Sequence, residues 1–308
     1  MFVSKWISQL GISLAIAVVT VHESGASTLY LIDAHSQVES EQTLQKVIPL
    51  MDKAGVKATI LSARGGMNSA KIVKHAERHR GRIIPAIRTK SGAYKNNKQK
   101  YYRLLDKQVA SHQYHAIAEL LLFHARKGQK ADEVSVYPDD DRVKAALKHA
   151  IRQGWPLVVH IEFAALAQEE KIQYMAGLRE MLDTYPRHPF VLIHMGQLGI
   201  EDVRSLLVSR SNVYFMTSHS NPLTIKKSRQ PWVNLFAGDV LAIDWSELMI
   251  EYSDRFILAF DNVWPEHWGE FYLQQAEHWR KALALLPEQV AHLIAHGNAE
   301  RLWALPQD

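Results

Sequence analysis

Four side chains in this sequence could hold a metal ion and set it to work on water: His35, His160, His194 and Asp261. Each closes a short apolar run, within Asp33-Ala34-His35-Ser36-Gln37, Pro156-Leu157-Val158-Val159-His160, Leu192-Ile193-His194 and Phe260-Asp261. Neutral imidazoles and a carboxylate on separate rigid strands can hold an ion such as Zn²⁺ and leave a position open for water. Side chains alternate along a strand, so His35 and Gln37 share one face, as do His160 and Glu162. Arg64, Arg88, Glu119 and the pair Ser218-His219 stand at the ends of the remaining apolar runs. A guanidinium binds a carboxylate through two parallel hydrogen bonds, which suits the arginines to an acidic substrate. With 16 His in 308 residues, one such histidine carries little weight. The weight comes from their recurrence at strand ends.

The elements that must position these residues follow from the apolar runs. Eight of them read as strands: 29–32, 56–61, 82–87, 116–122, 156–161, 190–193, 213–216 and 256–260. They are short, rich in Val, Ile and Leu, and do not alternate, as expected of parallel strands buried on both faces. Helical patterns separate them, around Leu44 to Met51, then at 69–80, 98–110, 142–153, 168–183, from Glu201, and at 269–286. Eight such units predict an α/β fold, a (β/α)₈ TIM barrel, with its site at the C-terminal ends of the strands. A doubly wound open sheet would call for a Gly-rich phosphate turn after an early strand, and there is none. Residues 285–305 add a C-terminal helical extension expected to sit outside the barrel.

Composition narrows the function classes. Apolar residues make up 47% and charged residues 22%, which is ordinary for a globular chain. The absence of Cys excludes disulfides, thiolate zinc sites and a Cys nucleophile. A net charge of +4 without a dense basic run speaks against a nucleic-acid partner. At the N-terminus, Lys5, the apolar stretch Leu10 to Val21 and Ser24-Gly25-Ala26 read as a secretory signal. Residues 1–26 are then a leader and residues 27–308 one barrel domain. The mature protein is expected to be exported, periplasmic or secreted, with no stable membrane span. Its partner is expected to be a small-molecule substrate, and a homo-oligomer stays open.

Strand order and strand-end chemistry resemble the amidohydrolase superfamily, in its aminocarboxymuconate-semialdehyde decarboxylase-like branch. Asp33-Ala34-His35 is similar to that branch's Asp-x-His-x-His opening, and the segments ending at His160 and His194 to its fifth and sixth strands. Asp261, followed by Pro265, resembles its eighth-strand Asp, and Asn298-Ala299-Glu300-Arg301-Leu302 its closing signature. The likeness covers roughly residues 29–305. Gln37 departs from it, standing where the family has its second His, and offers at best a carbonyl oxygen.

The resemblance implies one divalent ion, zinc foremost, on His35, His160 and Asp261, with Gln37 or water completing the shell. It implies Asp261 as general base and His194 as a residue that polarises the substrate. Arg64, Arg88, Glu119, His219 and Trp264 are expected around the substrate, with Glu119 a partner for an arginine. The reaction implied is metal-dependent hydrolysis of a small carboxylated amide, ester or lactone. Decarboxylation, a metal-independent lactonase, and a barrel that binds a small acid without catalysis are the alternatives.

Overall fold

The computed structural model describes residues 29–129 and 131–306; the expected leader, residues 1–26, lies outside them. Eight parallel strands form the barrel: Leu31–Val38, Val56–Ala63, Ile83–Ile87, a fourth in two pieces, Leu157–Ile161, Phe190–Leu192, Val213–Met216 and Phe256–Ile257. The first piece of the fourth strand, Ala116–Ile117, pairs back to the third strand. The second, Leu120–His124, pairs onward to the fifth. Ala118 and Glu119 lie in the break between them, and the break turns Glu119 into the barrel mouth rather than along the ladder.

The sequence places the end of the first strand at Ile32, where its apolar run stops. The strand instead continues to Val38, because its polar residues have partners. Asp33 Oδ1 accepts from the Phe260 N–H at 2.9 Å, and Ser36 Oγ accepts from Asn262 N–H at 3.0 Å. The Asp261 N–H donates to the His35 carbonyl at 2.8 Å, and Gln37 N–H to that of Asn262. These bonds close the ring between first and eighth strands and set His35, Gln37 and Asp261 side by side. The register shift between Asp33 and Ser36 marks the local bulge that this stitching requires.

Helices follow the strands and cover their outer faces. The first, Glu41–Ala54, starts where Ser40 Oγ accepts from the Thr43 N–H at 3.2 Å. It stops at Gly55, whose φ of 63° is costly for any residue with a Cβ. Large side chains such as Leu61, Phe190, Phe215 and Phe256 fill the layer between strands and helices. The barrel interior is built instead from alternate, smaller residues, including Ala34, Ala58, Ala86, Ala116, Val158 and Val191. The extension does lie outside the ring of strands, yet Leu302, Trp303 and Leu305 pack into that interior cluster and stopper its lower end. After the seventh strand the insertion forms a short helix, Pro222–Ile225, and a small hairpin, Phe236–Ala237 with Val240–Leu241. Among the described residues no helix is long and apolar enough to cross a membrane.

Candidate active site

The strand ends meet in a pocket of about 400 Å³ whose lining includes Lys90, His160, His194, His219, Trp232 and Asp261. A larger cleft of about 800 Å³ lies on the flank against the helix Gln99–Ala110. It contains none of the histidines or carboxylates of the strand ends, so the chemistry belongs to the smaller pocket.

Two carboxylates organise the floor. Asp261 Oδ1 and Glu119 Oε1 each accept a hydrogen bond from the Gln37 amide nitrogen at 3.0 Å. His35 Nε2 lies 3.4 Å from both oxygens. Lys90 pairs with Glu119 Oε1, and His160 Nδ1 bonds Glu119 Oε2. The other nitrogen of His160 meets Glu162 Oε1 at 3.2 Å, and Lys127 donates to Glu162 Oε2 at 2.7 Å. The row Lys90–Glu119–His160–Glu162–Lys127 therefore alternates in sign from end to end.

On the far side, His194 Nδ1 lies 2.9 Å from Ser218 Oγ and 3.3 Å from the Ser218 carbonyl. Ser218 Oγ accepts from the His194 backbone N–H at 3.2 Å and can give its own hydrogen to Nδ1, an arrangement that leaves the ring hydrogen on Nε2. That nitrogen stands 3.5 Å from Asp261 Oδ2. The His219 ring stacks on His194 with centroids 4.5 Å apart, and its Nε2 donates to the Asp261 carbonyl at 3.1 Å. Trp232 packs against both rings.

The electrostatics follow from these contacts. Burial works against a charged His35, but its bonds to Asp261 and Glu119 raise it to about 9. His160 is raised in the same way, its two glutamates outweighing burial. Burial opposes ionising Glu119, yet Lys90 and His160 hold it well below the usual carboxylate range. Asp261 is also held low, with His35 overcoming the cost of burial. His194 goes the other way: burial and the neighbouring His219 keep it well below its usual value and neutral. The site thus carries imidazolium on one side and neutral imidazole on the other.

The expected residues do not form a single shell. His35, Gln37 and Asp261 come together, whereas His160 stands across Glu119 with both nitrogens taken by carboxylates. Glu119 is not an arginine partner at the substrate face. It is 1% exposed and is the hub to which His35, Gln37, Lys90 and His160 all connect. Arg88 lies outside the pocket and lines the flank cleft, donating to the Gly65 and Lys90 carbonyls at 2.6 and 2.7 Å. Arg64 does line the pocket, with its guanidinium 3.7 Å above the Trp264 ring and bonded to Glu39 at 2.8 Å. His219 and Trp264 line it too. Lys90, Lys127 and Trp232 were not expected from sequence. Lys90 and Lys127 each lie three residues past the end of a strand, at Ile87 and His124. That position was the available signal, but nothing local separates them from surface lysines.

The ligand-type side chains fall into overlapping triads, among them His35–Glu119–Asp261, Glu119–His160–His194 and His194–His219–Asp261. Their donor set, imidazole and carboxylate, suits a borderline divalent ion.

Comparison with known proteins bears on this geometry. A family model described as Amidohydrolase matches residues 129–305. No curated protein matches. Among solved structures, an uncharacterised TIM-barrel protein of Bordetella bronchiseptica is 15% identical with a TM-score of 0.61, over 90% of this chain and 99% of that one. The 4-oxalomesaconate hydratase of Rhodopseudomonas palustris is 14% identical with a TM-score of 0.57, over 89% and 95%. A zinc-bound amidohydrolase of Burkholderia multivorans is 15% identical with a TM-score of 0.52, over 90% and 100%. At such identities the structural likeness shows the barrel fold alone. Because the family model spans more than half of its length, the chain belongs to the amidohydrolase family of enzymes.

Proposed function

We propose that this enzyme hydrolyses a small carboxylated amide, ester or lactone with the help of a divalent ion. One observation carries the reading: buried imidazoles and carboxylates converge on Asp261, with His35 Nε2 at 3.4 Å from Oδ1 and His194 Nε2 at 3.5 Å from Oδ2, in a pocket also lined by cations. The residues that would hold the ion are Asp261 with His35 and Glu119 on one side, or with His194 on the other. Bound there, an ion supplies Lewis acidity toward water or a carbonyl oxygen. Asp261 is fitted to accept the proton of an attacking water through Oδ2, which takes no hydrogen bond from another described residue, and to pass it to the leaving group. Its carboxylate stays ionised because His35 stands against the other oxygen.

His194 would polarise the substrate through Nε2, the ring nitrogen that stands beside Asp261 in the pocket. Arg64 is held over the Trp264 ring and is fitted to take a substrate carboxylate by paired hydrogen bonds from its guanidinium. Lys127 and Lys227, which also line the pocket, add to the pull on an anion.

A panel of amides, esters and lactones, each as a free acid and as a neutral analogue, tests the reading with and without chelator. The acids should be preferred, chelator should slow turnover, and Asp261→Asn should cut it by at least about a hundredfold. Failure to turn over any member of the panel, or an undiminished Asp261→Asn rate, sinks the proposal.

A further inference from the structure

We propose that the flank cleft is a second binding site, for a small amphipathic anion: one acid group on an apolar body. The proposal stands apart from the hydrolytic reading above, because the cleft and the strand-end pocket share no lining residue.

The cleft lies between the start of the helix Ser69–Arg78 and the length of the helix Gln99–Ala110. Its volume of about 800 Å³ is that of a small-molecule site rather than of a flat docking face. Met67, Tyr101, Leu104 and Leu105 give it an apolar wall, and Leu104 is left 44% exposed there. Charge sets the other requirement. From Arg64 to Ala110 the chain carries thirteen Lys and Arg against two acids, Glu77 and Asp106, although the whole chain is only +4. Five of those cations, Arg64, Lys71, Arg82, Lys90 and Lys95, each meet a carboxylate. Arg88, Lys98, Lys100 and Lys107 pair with none among the described residues, and all four line the cleft. An unpaired lysine on open surface is ordinary. Four cations around one concave site, with no Asp or Glu in its lining, form a field that an anion completes.

Arg88 gives the acid group a fixed partner. Its Nε and Nη1 donate to the Lys90 and Gly65 carbonyls at 2.7 and 2.6 Å, which holds the guanidinium in place without neutralising it. Nη2 has no hydrogen-bond partner among the described residues. Burial and the neighbouring Arg64 both work against the Arg88 charge, a cost that an anion beside it would offset. Lys98 and Lys100 flank the start of the helix Gln99–Ala110, an end without a side-chain cap, where the helix dipole favours an anion over a cation. The lining holds no imidazole and no carboxylate, so a ligand there is held and not hydrolysed.

Three probes separate the two requirements. 8-Anilinonaphthalene-1-sulfonate carries the acid and the apolar body, N-phenyl-1-naphthylamine the same body alone, and inorganic sulfate the acid alone. Fluorescence titration of the natural chain should show a site for the sulfonate that takes the neutral amine at least about tenfold more weakly, and that sulfate at the same concentration does not empty. The triple variant Lys98→Gln, Lys100→Gln, Lys107→Gln should weaken the sulfonate at least about tenfold, by loss of the field. Leu104→Glu should do the same, by loss of apolar contact and gain of a repelling charge. All four positions are exposed, so both variants should keep the natural circular dichroism spectrum. The proposal is overturned if either folded variant binds the sulfonate as tightly as the natural chain, if the neutral amine binds equally well, or if sulfate alone displaces the probe. It is also overturned if Lys227→Gln, in the strand-end pocket, loses the probe while both cleft variants keep it. Adsorption to phosphatidylglycerol vesicles with no sulfonate bound would assign the basic flank to a membrane surface and overturn it too. No substrate enters these titrations, so their failure is distinct from a negative hydrolysis panel.

Discussion

At the pocket floor, burial would ordinarily neutralise ionisable groups, and here it does so for only part of the set. Glu119 and Glu162 stay charged because Lys90, His160 and Lys127 alternate with them. His35 shows how far such pairing can move a group. It rises from 6.5 to about 9, because its carboxylate contacts outweigh burial. A folded-state value above the unfolded one stabilises the fold fully below about pH 6.5, and that contribution fades as pH climbs to about 9. In chelator-treated protein, His35→Asn should therefore cost more unfolding free energy near pH 6 than near pH 9.5. Urea titrations at the two values check this; equal losses would mean that His35 is not an imidazolium in the folded state. The strand-end residues His35, His160, His194 and Asp261 stand out in the sequence because each ends an apolar run. Lys90 and Lys127 were not, because only folding brings their ammonium groups onto buried carboxylates.

The strand-to-loop junctions store strain where the chemistry is. His194, Met195, Gly196 and Gln197 follow one another at φ 55°, 55°, 63° and 52°, and His219 and Asp261 also sit in the left-handed region. Such backbone costs about 1–2 kcal/mol per residue for side chains with a Cβ and persists only where surroundings impose it. Gly196 is the one member of the quartet that avoids the cost. An added Cβ would also come within 3.4 Å of the Leu198 side chain. Gly196→Ala should lower stability by about 1 kcal/mol. Urea unfolding measures this, and a variant as stable as the natural protein would contradict the strain argument. At this scale the sequence reading is sound for helices and short for strands. Apolar runs end where polar side chains begin, but the first strand continues through Asp33, Ser36 and Gln37 on bonds to residues 260–262.

For the molecule as a whole, the C-terminal extension is a structural part of the barrel. Small side chains leave the interior narrow but unsealed at the end opposite the pocket. Trp303, buried among Leu302, Leu305 and the inward alanines, seals it. Asn298 adds polar anchorage, its amide donating to the Ser253 and Phe256 carbonyls at 2.7 and 2.8 Å. Trp303→Ala should cost about 3–5 kcal/mol, the range for truncating a buried tryptophan. Guanidinium unfolding is the measurement, and a loss under about 1 kcal/mol would show that the stopper is dispensable. Because the strands run through to the site, the same variant should also broaden the NMR signals of His35 and Asp261.

Periodicity and strand-end chemistry determined the barrel, the order of its eight units and the mouth at which its histidines and carboxylates gather. These are local properties: one strand's burial and one residue's place in it can be read from a few neighbours. The tertiary structure decided which oxygen faces which nitrogen. Glu119 became the hub because the fourth strand breaks beside it, and Arg88 left the pocket to brace Lys90. Gln37 took the role of donor because two carboxylates from other strands meet at its amide. Such outcomes depend on electrostatic balance among side chains as distant in sequence as Gln37 and Asp261, 224 positions apart, and only the closed barrel brings them within reach of each other.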